Sequence, residues 1–387
     1  MVSRPPPLAG PATPLAPGRP LREVSRVPAD NPLPPVTRPV HNPPMSADGR
    51  PMRDGGAFDW RPIGPADVPA WAALLAAIQA VDGGDEHFGE QDLLEDFSDP
   101  YADFARGSVA VYDGNTMAGF GSLLARSAAD PVHEMWQQGG VHPAYRDRGL
   151  GGRLLDWAER AAVPLHRERY PGRPLALSAG CLSSNDGAVA LHAAHGYRQA
   201  RWFHGMTRDL AAPLPDVPAP AGVQIVGFTP ERAADALLVR NEAFRDHWGS
   251  TEDTAGQWAH FLAYSSFRPG LSFLAYAGQE PLGIIFGHEY DAYTAATGRR
   301  DLSIPLVGTR RAGRKRGIAS ALLARALAEA RAAGFDTASL GVDADSPTGA
   351  LGLYERAGFT VRETWIAELK PVLDAEPAGS PGRGTAS

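Results

Sequence analysis

The sequence predicts an α/β protein in which one unit is built twice in tandem. Three observations carry this. An apolar strand-like run from Leu302 to Val307 leads through a basic, glycine-bearing loop, Arg314-Lys315-Arg316-Gly317-Ile318-Ala319-Ser320, into a helix-like run from Ala319 to Ala333. The same order occurs earlier: Val132 to Val141, the loop Val141-His142-Pro143-Ala144-Tyr145-Arg146-Asp147-Arg148-Gly149-Leu150-Gly151-Gly152, then Leu154 to Ala162. A second signature follows each loop, Leu191-His192-Ala193-Ala194-His195-Gly196-Tyr197 and Leu353-Tyr354-Glu355-Arg356-Ala357-Gly358-Phe359. Gly149 and Gly317 stand 168 residues apart and Gly196 and Gly358 stand 162 apart, a period that marks a duplicated domain rather than a solenoid.

In chain order, residues 1–53 are Pro-rich and are expected to form a disordered arm, or to precede a translation start at Met45 or Met52. The first unit is expected over 57–210. Phe58 to Ile63 alternates as a strand does, Asp67 is placed to cap a helix from Val68 to Ala80, and an acidic segment runs from Asp82 to Asp103. Ser108 to Tyr112 and Met117 to Leu124 flank Asp113-Gly114-Asn115 as a hairpin. Beyond the first loop and its helix come a strand from Leu175 to Leu182, a helix from Gly187 to Ala194 and a closing strand pair around Tyr197 to Leu210. Residues 211–221, holding Pro213, Pro215, Pro218 and Pro220, read as a semi-rigid linker.

The second unit, 222–370, repeats the order. Val223 to Phe228 is a strand, and Thr229 is placed to cap a helix from Glu231 to Phe244. An acidic and aromatic segment follows, Asp246-His247-Trp248 through Trp258, then a hairpin of Leu271 to Ala277 with Leu282 to Tyr290. The strand from Asp301 to Thr309 feeds the second loop. Thr337 to Val342 is the next strand, Thr348 to Ala357 the next helix, and Phe359 to Leu369 closes the unit. Residues 371–387 are expected to be a disordered tail.

Composition narrows the function. Hydrophobic residues make up 43% of the 387 positions, ample for packed cores. The net charge of −7 argues against a nucleic-acid or anionic-membrane partner. The single cysteine, Cys181, excludes an intrachain disulfide and falls in an apolar run, as a buried core thiol would. No apolar run reaches a membrane-spanning length and no secretory leader pattern opens the chain, so a cytoplasmic location is expected. His133, His142, His195, His204 and His288 show no metal-ligand spacing, and no metal is expected.

The paired loops are where chemistry concentrates. The first turn of a helix offers unpaired N–H groups and a partial positive charge. Small residues at Gly317 and Ala319, or Gly149 and Gly151, let an anion come close, and Arg314, Lys315 and Arg316, or Arg146 and Arg148, stand beside them. This reads as a cradle for a diphosphate. A dinucleotide fingerprint fits less well, since Gly149-Leu150-Gly151-Gly152 lacks the Gly-x-Gly-x-x-Gly spacing.

Strand, Arg-x-x-Gly-x-Gly/Ala, helix, strand, then Leu-Tyr-x-x-x-Gly-Phe resembles the GNAT-type acyl-CoA N-acetyltransferases, here across both units. The resemblance implies two tandem GNAT-like domains, each a mixed, mostly antiparallel sheet flanked by helices. It implies acetyl-CoA as co-substrate, with the two strands beside each loop splaying apart to admit the pantetheine arm. That arm would meet the main chain of Leu306, Val307 and Gly308, or of Gly140, Val141 and His142. The diphosphate would meet the N–H groups of Arg314, Lys315, Arg316, Gly317, Ile318, Ala319 and Ser320, or of Arg146 to Gly152. Asn185 matches an asparagine that contacts the cofactor in the family, where the second unit has Ser346.

The expected reaction is direct acetyl transfer to the primary amine of a small molecule. The amine must lose a proton and the departing thiolate must gain one. Tyr354 holds the family's donor position and His192 its equivalent in the first unit, so the second unit is expected to be the active one. For the base, Asp301 begins the strand leading to the second loop. Glu134, Glu242, His247 and Glu289 are further candidates. The acidic segments 82–103 and 242–253 fall where the family's acceptor lip lies and suit a cationic amine. The rival expectation is a non-catalytic acetyl-CoA-binding protein with two decayed units. The two units could pack as a pseudo-dimer, making a monomer or a homodimer.

Overall fold

A computed structural model describes residues 9–10, 58–99, 101–125, 131–245, 249–346 and 349–374; nearly all of the expected arm, His247, Thr348 and residues 375–387 lie outside the described residues. The first unit runs β1 (Asp59–Arg61), α1 (Val68–Asp82), α2 (Glu90–Asp96), α3 (Phe104–Gly107), β2 (Ser108–Asp113), β3 (Thr116–Ala125), β4 (His133–Val141), α4 (Leu150–Arg169), β5 (Leu175–Leu182), α5 (Asp186–Ala194) and β6 (Arg198–Asp209). The second runs β7 (Gln224–Gly227), α6 (Ala233–Ala243), α7 (Ala255–Leu262), β8 (Phe273–Ala277), β9 (Glu280–His288), α8 (Asp291–Thr297), β10 (Asp301–Thr309), α9 (Ile318–Ala332), β11 (Thr337–Asp343), α10 (Ala350–Arg356) and β12 (Thr360–Leu373).

Side-chain alternation puts helices on both faces of each hairpin. Along β2, Ala110 and Tyr112 join the core beneath α1, while Val109 and Val111 pack with Leu150 and Leu154 of α4. Along β8, Phe273 and Ala275 pack with Ile318 and Leu322 of α9, and Leu274 packs with Ala236 and Val239 of α6. Burial on both sides is why these strands read as continuous apolar runs. Among the described residues no helix is long and apolar enough to cross a membrane.

Twelve strands form one continuous sheet in the order β1-β2-β3-β4-β5-β12-β6-β11-β10-β9-β8-β7. Its neighbours are antiparallel except β4–β5 and β10–β11. The middle of that order departs from a simple tandem array. The expected closing strand pair of the first unit is a single strand, β6, which pairs with β11 of the second unit from Asp209↔Thr337 to Phe203↔Asp343. In return β12 lies against β5 of the first unit, from Trp365↔Leu182 to Leu373↔Leu175. The two closing strands are exchanged and also pair with each other, making one sheet of two units.

Local differences from expectation have local causes. The expected tail begins inside β12, because Pro371 occupies a register break, where a strand tolerates the missing N–H. Asp67 makes no side-chain cap at α1. Its carboxylate accepts instead from Gly64 N–H (2.8 Å), the Arg61 guanidinium (2.5 and 2.7 Å) and the Tyr112 hydroxyl (2.9 Å). Thr229 precedes a short 3-10 turn, Pro230–Arg232, and its side chain accepts no capping N–H there. α4 runs on through Pro164 to Arg169; Pro164 and Arg160, whose carbonyl loses its helical donor, are both exposed, while Leu165 and His166 are buried beyond them. The linker is tied down by Arg208, buried, whose guanidinium donates to the carbonyls of Pro213 (3.0 Å) and Ala357.

Because each unit lacks its own closing strand, residues 57–212 and 213–387 expressed separately should each fail to give a cooperative thermal transition. Co-expressed, they should co-purify and melt as one species, read by circular dichroism.

Candidate active site

The site begins as a fork in the sheet. β10 and β11 pair at Asp301↔Thr337, Leu302↔Ala338 and Ser303↔Ser339 and then part, although the strands continue to Thr309 and Asp343. β4 and β5 do the same, pairing from His133↔Leu175 to Trp136↔Ser178 and no further. The splay that the resemblance implies is therefore present in both units. Pro305, just past the second fork, occupies a break in the β9–β10 register between Phe286↔Leu306 and His288↔Ser303.

At the mouth of each fork lies one of the paired loops, and the two have the same backbone. Asp147 and Lys315 both have φ of 60°, and Gly149 and Gly317 have φ of 77° and 82°. Both pairs keep the 168-residue spacing. The left-handed glycine is the N-cap residue of α4 or α9, and neither helix has a side-chain cap. The first-turn N–H groups are thus presented without a competing side-chain acceptor. Leu150 and Ile318 turn their side chains into the core, each 1% exposed, so they offer main chain only. Lys315, Arg316 and Arg148 are exposed beside these turns.

Not every expected cradle residue faces the mouth. Arg146 turns inward, its guanidinium donating to both Asp82 oxygens (2.6 and 2.8 Å) and to Val141 O (3.4 Å). Arg314 does the same, donating to Ala243 O (2.9 Å) and Thr309 O (3.3 Å). Each pins its loop to the end of the preceding strand and to the C-terminal end of α1 or α6. Asn185 caps α5, accepting from Ala188 N–H (3.0 Å), and donates to Asp82 (3.1 Å), in the same network. Ser346 precedes α10, whose N-cap residue is Gly349. His142 donates its N–H to Ala118 O (2.9 Å) and accepts from Ala144 N–H at Nδ1 (3.2 Å). Val141 and Val307 are half-buried and Leu306 is buried along the parted strands.

Several glycines serve packing. A Cβ on Gly151 would lie 2.7 Å from Leu191 Cδ2, and one on Gly152 would lie 3.1 Å from His195 Nε2. Gly140 and Gly308 admit helices against the strands: a Cβ there would lie 2.6 Å from Ile78 Cδ1 or 2.9 Å from Phe244 Cε2.

The candidate catalytic groups separate. Asp301 opens β10 at the base of the fork and is 6% exposed; Ser339 donates to its Oδ2 across the strand pair, and its Oδ1 makes no hydrogen bond of ordinary geometry among the described residues. Burial pushes its carboxyl above the usual range, against the Ser339 and Thr337 hydroxyls, which lower it. The register equivalent in the first unit is His133, whose ring is stacked on His166 with Nδ1 to Nδ1 at 2.8 Å. Tyr354 is packed in the second unit's core, edge-on to Phe359, and burial pushes its phenol up. Glu242 is held by Arg310 (2.7 and 3.1 Å). Burial acts to raise Glu289, but hydrogen bonds from Arg300 and Arg268 outweigh it and hold the carboxyl low. Glu134 is half-buried on β4. His192, in place of Tyr354, bonds at Nδ1 to Glu368 of the exchanged β12, which also accepts from Cys181. These three side chains converge within 4.8 Å, and burial pushes the Cys181 thiol up to about 12.

A cavity of about 470 Å³ spans both units beneath the fork. Asp301, Ser303, Leu306 and Gly341 border it from the second unit; Trp136, Gln137 and Ser178 border it from the first fork. The expected acidic lips do line it, through Asp85, Glu86, Asp92, Glu95 and Asp96 on one side and Asp253 on the other. Tyr354 and the cradle residues are not among its lining. Sequence reasoning did not single out Glu363 or Tyr293, which also line it. The alternation Glu363-Thr364-Trp365 was the available signal for the first, since it puts two unlike side chains on one strand face.

Comparison with known proteins fits this architecture. The family model described as the acetyltransferase (GNAT) family matches residues 71–197 and 238–359, once in each unit. The chain belongs to the GNAT acetyltransferases. A mycothiol acetyltransferase of Salinispora arenicola is 31% identical over 317 residues, covering 79% of this chain and 93% of that protein. That of Thermobispora bispora is 34% identical over 302 residues, covering 76% and 93%. Among solved structures, a GCN5-related N-acetyltransferase from Sphaerobacter thermophilus superposes with a TM-score of 0.67 at 29% identity, over 82% of this chain and 97% of that one. A tandem GNAT protein from the clavulanic acid biosynthesis pathway shares the fold with a TM-score of 0.61 at 16% identity, over 82% and 100%. This GNAT chain is an acyl-CoA-dependent N-acetyltransferase that acts on an amine.

The packing at Gly151 is directly measurable. Gly151→Ala sets overpacking against Leu191, about 1–3 kcal/mol, against the roughly 0.5–1 kcal/mol that Ala gains over Gly within α4, so denaturant unfolding should show a net cost of up to about 2 kcal/mol with the baseline slopes unchanged.

Proposed function

We propose that the chain transfers an acetyl group from acetyl-CoA directly to a primary amine of a small molecule, with the second unit carrying the chemistry. The observation that supports this most is Asp301. It stands at the fork of the second unit, buried, on the border of a cavity wide enough for a small acceptor, whereas the first unit has His133 at that place. The first unit's donor position is also altered, to a His192 engaged with Glu368. In this reading the units 57–210 and 222–370 are one functional body, and a monomer suffices because the chain is already its own pseudo-dimer.

Acetyl-CoA would supply an activated acetyl thioester. The second cradle would hold its diphosphate on the N–H groups from Arg314 to Ser320, with Lys315 and Arg316 screening the charge. The main chain of Leu306, Val307 and Gly308 would orient the arm along the parted strand. Asp301 takes a proton from the acceptor's ammonium, so that nitrogen can form the C–N bond as the C–S bond breaks. Tyr354 gives its hydroxyl proton to the departing thiolate and regains one from the nitrogen as the amide forms. Burial raises the phenol, so it carries its proton when the thiolate departs. In sum, thioester and ammonium become amide, thiol and one released proton.

The raised Asp301 carboxyl sets the sign of two effects. Activity needs the carboxylate, so kcat should climb with pH along a limb lying above the ordinary aspartate range of about 3.9. Stability runs the other way. Between the unfolded and the raised folded value the native state binds more protons, so ionisation costs stability as pH rises through that window. Asp301→Asn should therefore lower kcat by roughly 10²–10⁴-fold and abolish the limb, yet be at least as stable as the parent at pH 7. Tyr354→Phe should lower kcat with little change in acetyl-CoA affinity. Free-thiol release with a panel of amines reads both; a variant pair with parental kcat would refute the assignment.

A further inference from the structure

The cavity also says what kind of amine it takes, an inference that rests on the transferase reading above. Its floor is a carboxylate nest assembled from three separate stretches of chain. Asp301 is bonded by Ser339, and Ser339 faces Thr207 across the β11–β6 register. The Thr207 hydroxyl donates to Asp85 of the first unit (3.5 Å). Two residues along β6, Gly205 faces Glu363 of the exchanged β12, and the glycine is needed because a Cβ would lie 2.7 Å from Glu363 Cγ. Asp85, Asp301 and Glu363 all line the cavity. Each of the latter two feels the negative charge of Asp85.

Among the described residues no arginine of the cavity lining bonds to this nest, and Arg299, outside the lining, acts on Asp301 only through its charge. Of the two that line the cavity, Arg240 is bound to Asp253 (2.8 Å), and Arg362 is exposed. Three carboxyl groups that line one cavity, two of them under the charge of the third, favour a cation from outside.

The wall beside the nest is aromatic. Trp365 donates Nε1–H to Glu363 (2.8 Å) and sits opposite Phe203 in the β12–β6 register, with Trp136 packed against the same cluster. Tyr293 closes the other side, edge-on to His87 with ring centroids 5.5 Å apart. All four rings line the cavity. An ammonium is attracted to ring faces as well as to carboxylates, and an apolar body gains from covering them.

We propose that the acceptor is a primary amine on an aromatic or apolar body, its ammonium seated among Asp85, Asp301 and Glu363 and its body against Trp136, Phe203, Tyr293 and Trp365. The first unit then contributes directly to acceptor selection, through Asp85 and Trp136, without performing the chemistry.

The test uses the intact chain with acetyl-CoA and four amines: tryptamine, phenethylamine, glucosamine and putrescine. The aryl amines should exceed glucosamine and putrescine by at least tenfold in kcat/KM. Asp85→Asn and Glu363→Gln should each raise KM for tryptamine at least fivefold and leave KM for acetyl-CoA unchanged. Glucosamine or putrescine turned over as well as tryptamine, or variants with parental tryptamine KM, would overturn the proposal while leaving the transferase reading intact. Calorimetric titration of tryptamine separates the two further. Binding that both variants weaken, with no thioester consumed, upholds the seat and refutes the chemistry. No binding of tryptamine refutes the seat whatever the turnover.

Discussion

The structure depends on a parallel strand pair that stops pairing after three residues. Where β10 and β11 part beyond Ser303 and Ser339, the sheet opens a slot that a continuous ladder would close. Everything functional is referred to that slot. The left-handed glycine turn sits at its mouth, Asp301 at its base, and the shared cavity beneath it. The fork is held at its root by main-chain pairs and by the Ser339–Asp301 bond, so the residue that would accept the proton also braces the geometry.

The exchange of closing strands turns two such forks into one machine. β12 inserts between β5 and β6, which brings Glu363 and Trp365 of the second unit beside Asp85 and Trp136 of the first. It also carries Glu368 into the first unit, where the carboxylate meets Cys181 and His192, the counterpart of Tyr354. With the thiol pushed up to about 12 by burial, that trio is a buried hydrogen-bonded cluster rather than a nucleophile. In the proposed reading, duplication leaves one fork supplying chemistry and the other supplying wall.

Much of the fold was legible because its decisive positions have few solutions. A left-handed turn before an uncapped helix needs glycine, so Gly149 and Gly317 announced both loops, and their spacing announced the repeat. Strand and helix order followed from apolar periodicity. Partner identity did not: β6 and β12 alternate like any closing strand, and nothing in that alternation says which neighbour each will meet. The direction of an arginine was equally hidden. Arg146 and Arg314 could serve an anion or a carbonyl equally well by composition, and the structure turns both toward helix ends. Glu363 was missed for the same reason, since its importance comes from the exchange.

The central claim is that the parted strands and the glycine turn of the second unit form a seat for acetyl-CoA. Titration calorimetry of acetyl-CoA into the intact chain and into Gly317→Val tests it most directly, because a β-branched residue cannot adopt the left-handed turn without strain of about 1–2 kcal/mol. The account predicts saturable binding by the parent and one fewer site, or at least tenfold weaker binding, in the variant, with its circular dichroism unchanged. Equal affinity and stoichiometry in the two proteins, or no binding by the parent, would contradict it.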